Sequence, residues 1–433
     1  MDVKDTEAVH IDDVEGFDKI LDPVVGSTRL INEFEVVLVP TPSNDPNDPL
    51  NLPVWQKYLI LLIVGTYAAT GNLMTSGMSA FLQTVEASYN YDPKVSDLVT
   101  WPAFFMGVGN LLSIPLSYAV GRRPIYLLST ILLAFGCLWC AKSKSLGSHI
   151  AGRDVMSIAA GTAEALYPVI VQEIFYLHER GKVVAAYSAL QTLGTAALII
   201  ASPYIASNPS LGWRWWYGIF GCVSGLVTVL SFIFVKETKY DRPLEALNGE
   251  GILQPIIHYF LADMAPWSGT PQWSRAIACC KEMSEVFFFP NVLWLILLSD
   301  CYCGRCPNSV RLVQRFDDEM VEPKPEYRLL ALIIPTVAIL ISTIIYGKTA
   351  QNPEDWTWAG IAVTLNFEYF GFVGIVVSSF VYCMDAYPQR VGAALVLICS
   401  CRGFIGFGIS YGAISFVDKA GYEGGFNICA GIV

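Results

Sequence analysis

Charge is scarce in this chain. Of its 433 residues only 15% are charged while 54% are hydrophobic, and the mean hydropathy is +0.47. A soluble domain carries about 25% charged residues, so an ordinary water-facing fold is excluded. The net charge is −11; the excess is acidic, and nucleic acid is not an expected partner. No P-loop, HExxH or catalytic triad is present, so neither ATP hydrolysis nor another enzyme activity is expected, and no cofactor is called for. The first 20 residues are acidic and lack an apolar h-region, so the first apolar span is expected to serve as the insertion signal. No Asn-x-Ser/Thr acceptor occurs with x other than Pro. Cysteine is plentiful at 12. Most sit in apolar runs (Cys137, Cys140, Cys222, Cys399, Cys401), where Cys behaves as a small hydrophobe, and no disulfide framework is expected. Cys301, Cys303 and Cys306 have ligand-like spacing but no fourth ligand nearby, so no metal is expected there. Cys279 and Cys280 are plain loop cysteines or an acylation site.

Long apolar runs are abundant. About 20 apolar residues span a hydrocarbon core, and such runs recur at about 57–80, 97–119, 124–141, 150–177, 184–205, 214–235, 329–347, 357–383 and 391–416. The segment 287–299 is short for a crossing, and Arg305, Arg311, Arg315, Lys324 and Arg328 follow it. It is therefore read as not completing one. The expected fold is an all-α polytopic membrane protein with about nine to ten full spans plus stubs, its partner being the lipid bilayer. Basic residues after the second, fourth and sixth spans (Arg122, Arg123, Arg180, Lys182, Lys236, Lys239) place the N-terminus in the cytoplasm.

The organisation follows. Residues 1–56 read as an acidic, disordered cytoplasmic tail, with 12 Asp+Glu against 3 Lys+Arg in the first 50. Residues 57–235 hold six spans and 236–286 a cytoplasmic central loop, with the remaining spans in 287–433; the family resemblance set out below implies that these are a first six-helix bundle and an incomplete second bundle. A repeat supports two halves: Glu173–Arg180 and Asp385–Arg390 each place an acid, aromatics and an Arg at a cytoplasmic helix end.

Ordered pieces then carry a resemblance. They are Asp45-Pro-Asn-Asp-Pro-Leu-Asn51 before the first span, Gly121-Arg-Arg-Pro124 after the second and Glu164-Ala-Leu-Tyr-Pro168 in the fourth. Gly212-Trp-Arg-Trp-Trp216 opens the sixth and Glu237-Thr-Lys-Tyr-Asp-Arg242 closes it; Tyr387-Pro-Gln-Arg390 and Arg402-Gly-Phe-Ile-Gly-Phe come near the end. The set resembles the major facilitator superfamily, specifically the fungal proton-coupled multidrug and solute exporters. The resemblance covers about 45–300 and 325–433. It implies two six-helix bundles alternating access around a central site. The chain departs from the pattern between about 300 and 325, where part of the seventh helix and the whole eighth are missing, and at Val433, inside the twelfth. Tyr118 stands where the family's loop motif has Asp, and Ala197, Leu198 and Ile199 follow Gly194 where close glycine packing is usual.

An ionisable residue at bilayer depth costs several kcal/mol on insertion scales, which singles out four. Arg153 and Glu164 lie 11 residues apart on one helix face. The resemblance places an Arg at Arg153 near the proton path; the alternative is snorkelling beside Asp154. Glu368 and Arg402 reach similar depth and are expected to pair or share a cavity. The cytoplasmic charges Arg122, Arg123, Glu173, Arg180, Asp385 and Arg390 are gate candidates or positive-inside anchors. Tyr67, Asn72, Trp101, Tyr167, Gln191, Asn366 and Tyr369 are pocket candidates, with lipid contact or helix packing the alternative for the aromatics; Asn72, Asn110, Gln191 and Asn366 could line the cavity or hydrogen-bond between helices. Trp213, Trp215 and Trp216 are expected in an interfacial belt. The leading expectation is a monomeric plasma-membrane transporter exporting a small-molecule substrate, such as a secondary metabolite or drug, against entering protons. The alternatives are uptake of a nutrient or polyamine, and a remnant that no longer transports.

Overall fold

The computed structural model describes residues 31–32, 35–36, 42, 48–206, 208, 212–239, 271–289, 292, 332–351, 358–386 and 390–432. Apart from an antiparallel ribbon of Ile31–Asn32 with Glu35–Val36, these residues are helical or connecting. The chain enters through a 3-10 turn, Pro49–Asn51, capped by the Asp48 carboxylate, which accepts from the Leu50 N–H at 2.9 Å. Asp48, Leu50 and Leu52 are buried. The last residues of the expected tail are thus docked on the helices; residues 1–30 lie outside the described part.

The helices follow as α1 (Val54–Ser76), α2 (Leu82–Ser88), α3 (Asp97–Val120), α4 (Arg122–Lys142), α5 (Leu146–Ile174), α6 (Leu177–Ala206) and α7 (Gly212–Phe234). The second part gives α8 (Trp273–Phe287), α9 (Ile333–Gln351), α10 (Trp358–Ala386) and α11 (Val391–Ile432). Each of the nine expected spans overlaps a helix among the described residues. Among the described residues seven helices are long and apolar enough to cross a membrane. α11 runs on beyond its expected end, with a non-helical Gly421 (φ 70°, ψ 169°) marking where a second helical segment joins. Residues 293–331, which hold the expected departure from the family and Cys301, Cys303 and Cys306, lie outside the described residues. The central loop contains α8, which the sequence reading took only as loop. Its buried residues Ala276, Cys279, Met283 and Val286 recur at helical spacing on one face. Burial pushes the Cys279 thiol up to about 12, with Glu282 adding to the shift. Cys279 is buried and Cys280 is exposed, so of the two it is the Cys280 thiol that is open to acylation.

α5 is the axis of the first bundle. It is buried along most of its length because small residues let three helices approach it. A Cβ on Gly161 would collide with the Met106 carbonyl of α3, and one on Gly109 with the Ile158 carbonyl. On another side Gly71 of α1 sits against the Ala160 Cα. Such contacts replace the hydrophobic drive that lipid removes from helix association. Gly161→Val is therefore expected to force α3 from α5 at about 3 kcal/mol, read as a lower melting midpoint of the detergent-solubilised protein.

The tryptophan expectation is corrected. Trp215 is exposed, but Trp213 and Trp216 are buried. Trp213 stacks on His149 at 4.8 Å between centroids, and Trp216 donates its indole N–H to the Ser202 hydroxyl at 3.2 Å. Indoles on one helix turn divide between the two sides: Trp215 outward, the other two into the bundle.

Candidate functional site

Two charges meet where the two bundles touch. Glu164 lies 10 residues before the end of α5, and Arg402 lies 11 residues after the start of α11. At 1.5 Å rise per residue both sit about 15–17 Å from the ends of their helices. That shared depth brings them together: the Arg402 guanidinium forms an ion pair with the Glu164 carboxylate. Both side chains are largely buried, at 17% and 12% exposed. Asn110 of α3 donates its Nδ2 hydrogen to the other Glu164 oxygen at 3.3 Å. The Phe372 ring of α10 lies 5.3 Å from the guanidinium carbon, within cation–π range. Pro168 adds a local break. It has no N–H to offer the carbonyl four residues back, which is that of Glu164 itself.

The sequence reading pairs Arg402 with Glu368. In the structure the ion pair of Arg402 is with Glu164; the side chains of Glu368, Asn366 and Tyr369 lie outside the described residues. The seam around the pair is tight. A Cβ on Gly403 would come within 2.8 Å of the Gly107 Cα and of the Ala103 carbonyl, and Gly392 faces the Tyr118 hydroxyl. Toward the other end Trp101 and Phe104 of α3 pack on Phe407 at 5.2 and 5.4 Å. Trp101 is thus part of an aromatic contact between the bundles. Tyr118 serves the same seam from the position where the family's loop motif has Asp.

Arg153 has a different environment. It is fully buried. Its Nε–H donates to the Leu98 carbonyl at 2.7 Å. Nη1 donates to the Met74 carbonyl at 3.2 Å and the Tyr217 hydroxyl at 2.9 Å, and Nη2 to the Thr75 carbonyl at 2.9 Å. These carbonyls are short of helical donors. Pro102 cannot serve Leu98, and Met74 and Thr75 lie in the last turn of α1. Arg153 therefore faces the bundle rather than snorkelling beside Asp154. Tyr217 extends the network to His149 at 3.1 Å, and His149 to Tyr89 at 3.3 Å. Burial raises the Tyr89 phenol above its ordinary range, so it stays protonated.

Several of the gate candidates gather in a third place. Gly121, at φ 120°, turns the chain sharply from α3 into α4. A Cβ there would strike the Glu237 carboxylate. That carboxylate accepts from the backbone N–H of Arg122 at 2.9 Å and of Arg123 at 3.3 Å, so it caps the positive end of α4. Arg122 pairs with Glu173 at 3.1 Å and lies 4.1 Å from the Tyr118 ring centroid. Glu173 also accepts from the Thr238 hydroxyl at 2.5 Å. Arg123 donates to the Phe232 carbonyl at 2.9 Å. The cluster ties α4, α5 and the end of α7 within the first bundle. Arg180 donates to the Phe175 carbonyl at 3.1 Å. Arg390 pairs with Glu285 of α8 at 3.1 Å, with both partners exposed; the Asp385 side chain lies outside the described residues.

The family's sequence profile, Major Facilitator Superfamily, matches residues 60–411. The chain belongs to the major facilitator superfamily. An uncharacterised MFS-type transporter of Schizosaccharomyces pombe is 34% identical over 502 residues, covering 91% of this chain and 84% of that protein. That alignment is longer than the chain, so the relative carries internal residues that this one does not. The trichosetin biosynthesis cluster MFS transporter of Gibberella fujikuroi is 24% identical, covering 81% of this chain and 75% of its own length. Among solved structures, the proton:xylose symporter XylE of E. coli shares the fold, with a TM-score of 0.58 at 14% identity over 87% of this chain and 94% of its own. This major facilitator protein is a multi-pass membrane transporter of small molecules and not an enzyme.

The remaining pocket candidates are placed as follows. Tyr67 is buried and donates its hydroxyl to the Ala159 carbonyl at 2.6 Å, which makes it a tie between α1 and α5. Tyr167 stacks on Tyr187 at 3.6 Å and lines a small cleft with Lys57, Ile60 and Val64. Asn72 and Gln191 are half-buried. The role of Glu237 as a helix cap is not among the sequence expectations, although its motif closes the sixth span. The signal was a Glu just after an apolar span together with a Gly-Arg-Arg turn needing an anion. Tyr217 and Glu285 are also absent from those expectations; they carry no signal apart from their contacts.

Proposed function

We propose that this major facilitator protein exports a small organic molecule, of the secondary-metabolite or drug-like class, in exchange for protons entering across the plasma membrane, and that it works as a monomer. The observation that carries the coupling is the Glu164–Arg402 pair between the bundles. A buried ion pair is held by mutual attraction against the desolvation of both charges. Protonating Glu164 removes the attraction and leaves Arg402 drawn toward water. The state with α3 and α11 in contact is then disfavoured, and the population shifts toward one in which they part. The outward direction is supported by the biosynthesis-cluster name of the Gibberella fujikuroi relative.

The test is Glu164→Gln in cells whose own exporters are deleted. A panel of secondary metabolites and drugs is used to find a compound that the wild type extrudes in a protonophore-sensitive way. Gln keeps the shape and the hydrogen bond from Asn110 but cannot titrate. Efflux against a gradient is expected to be lost, and residual exchange is expected to become independent of pH. Unchanged pH dependence would remove Glu164 from the coupling.

A further inference from the structure

Asn110 is fully buried, and only half of its amide is in use. Nδ2 donates to Glu164, while among the described residues Oδ1 has no hydrogen-bond partner. A buried acceptor left empty costs free energy. An apolar residue of similar size would avoid that cost, so the idle oxygen calls for an occupant in another state of the protein. Glu164 supplies one. Its ionised carboxylate only accepts; its protonated form carries one O–H donor.

We propose that Asn110 is a positioning residue that holds Glu164 in both of its protonation states, passing it from α11 to α3 as the proton arrives. In the ionised state Glu164 is shared between Arg402 and the Asn110 N–H. When hydronium gives a proton to a carboxylate oxygen and leaves as water, the new O–H donates to Asn110 Oδ1 after a half-turn of the amide. Arg402 keeps its charge and enters the water that fills the opening seam. Glu164 stays satisfied against α3, so the bundles part without leaving it an orphaned carboxyl. The seam is built for that separation, since Gly107 and Gly403 meet through backbone and small atoms beside the pair.

Among the described residues Arg402 is the charged group facing Glu164. The other charged and titratable groups of the elements packed on α5 lie elsewhere along it. Lys57, Arg122, Glu173 and Arg180 are at the cytoplasmic end. Asp97, His149, Arg153 and Asp154 are toward the other end. The phenols Tyr67, Tyr167 and Tyr187 pack between α1, α5 and α6.

This inference rests on Glu164 being the coupled proton site. Infrared difference spectroscopy of the purified full-length protein, titrated with protons alone, separates the two ideas. The protonated Glu164 band is the one that vanishes in Glu164→Gln. In Asn110→Leu its midpoint is expected to rise by about one pH unit, a tenfold gain in proton affinity. The ionised form loses a charge-assisted bond and the neutral form only an ordinary one. The band is also expected at higher frequency, because the carboxyl O–H has lost its acceptor. Loss of the N–H bond to the carboxylate moves the midpoint by itself, so the frequency is the readout that a purely structural role would not move. Should the leucine variant fail to fold, Asn110→Asp serves. Two carboxylates sharing a proton should raise the midpoint by about two units or more. A midpoint and frequency unchanged at Asn110, with the Glu164 band still assignable, would overturn this inference and leave the coupling role standing. No band lost in Glu164→Gln would overturn both.

Discussion

Arg153→Leu is expected to leave no correctly folded protein in the membrane. The guanidinium serves three backbone carbonyls and a phenol inside the first bundle. Leucine leaves all of them without that donor in a dry interior. Hydrogen bonds to a charged group are worth about 1.5–3 kcal/mol each in water-soluble proteins, and bonds between membrane helices average lower, about 0.6 kcal/mol. Four bonds come to about 2.4 kcal/mol on the second scale and about 6–12 kcal/mol on the first, a large part of the 5–15 kcal/mol by which proteins are stable. Arg153→Lys is expected to rescue little, because one ammonium with three donors cannot span the positions that the planar fork reaches. The measurement is the fraction of protein eluting as a monodisperse peak after mild solubilisation, with melting midpoints for any variant that survives. A lysine variant with full stability, and with pH dependence as the only property altered, would contradict the assignment of Arg153 to architecture.

Arg402→Leu should be nearly as damaging, for a different reason. It leaves the Glu164 carboxylate buried with Asn110 as its described partner. Removing one member of a buried pair costs about 3–5 kcal/mol, whereas replacing both with uncharged groups of similar volume is often close to neutral. The double variant Glu164→Gln with Arg402→Leu is therefore expected to recover most of the stability that the single change loses. It should recover none of the proton-coupled transport proposed above. Melting midpoints of wild type, both single variants and the double variant give the coupling energy directly. A coupling near zero would mean that the two charges are independently solvated, and the argument for a switch between the bundles would fall.

The helices were legible because lipid leaves little choice. A run such as 214–235 has to be helical to satisfy its own backbone, and each of the nine runs overlaps a helix among the described residues. Glu164, Arg402 and Arg153 stood out for the same reason, since charge is expensive in hydrocarbon. Their partners were not legible. Helical period and span order place Glu368 and Arg402 at similar depth, but depth does not say which helices are neighbours. That depends on how α3, α5 and α11 meet, and the small residues that decide it, Gly107, Gly161 and Gly403, lie far apart in the chain. The reading of Arg153 stayed open because the need it meets is created by Pro102, 51 residues earlier. Trp213 and Trp216 misled for a related reason. An indole near a helix end suits the interface, yet His149 and Ser202 offered them company inside the bundle.

α8 is gripped unequally by its neighbours. The segment leading into it is tied to α3 through a backbone bond, Gln272 N–H to the Ala119 carbonyl at 2.9 Å. Toward α11 it reaches with a side-chain bond between exposed partners, Glu285 and Arg390, of a kind worth at most about 1 kcal/mol and weakened by salt. Whenever the two bundles tilt against each other, that outer grip is the cheaper one to release. The short rod then rides as a passenger on the first bundle, and the ionic strength around it becomes a dial on how readily it lets go of the second.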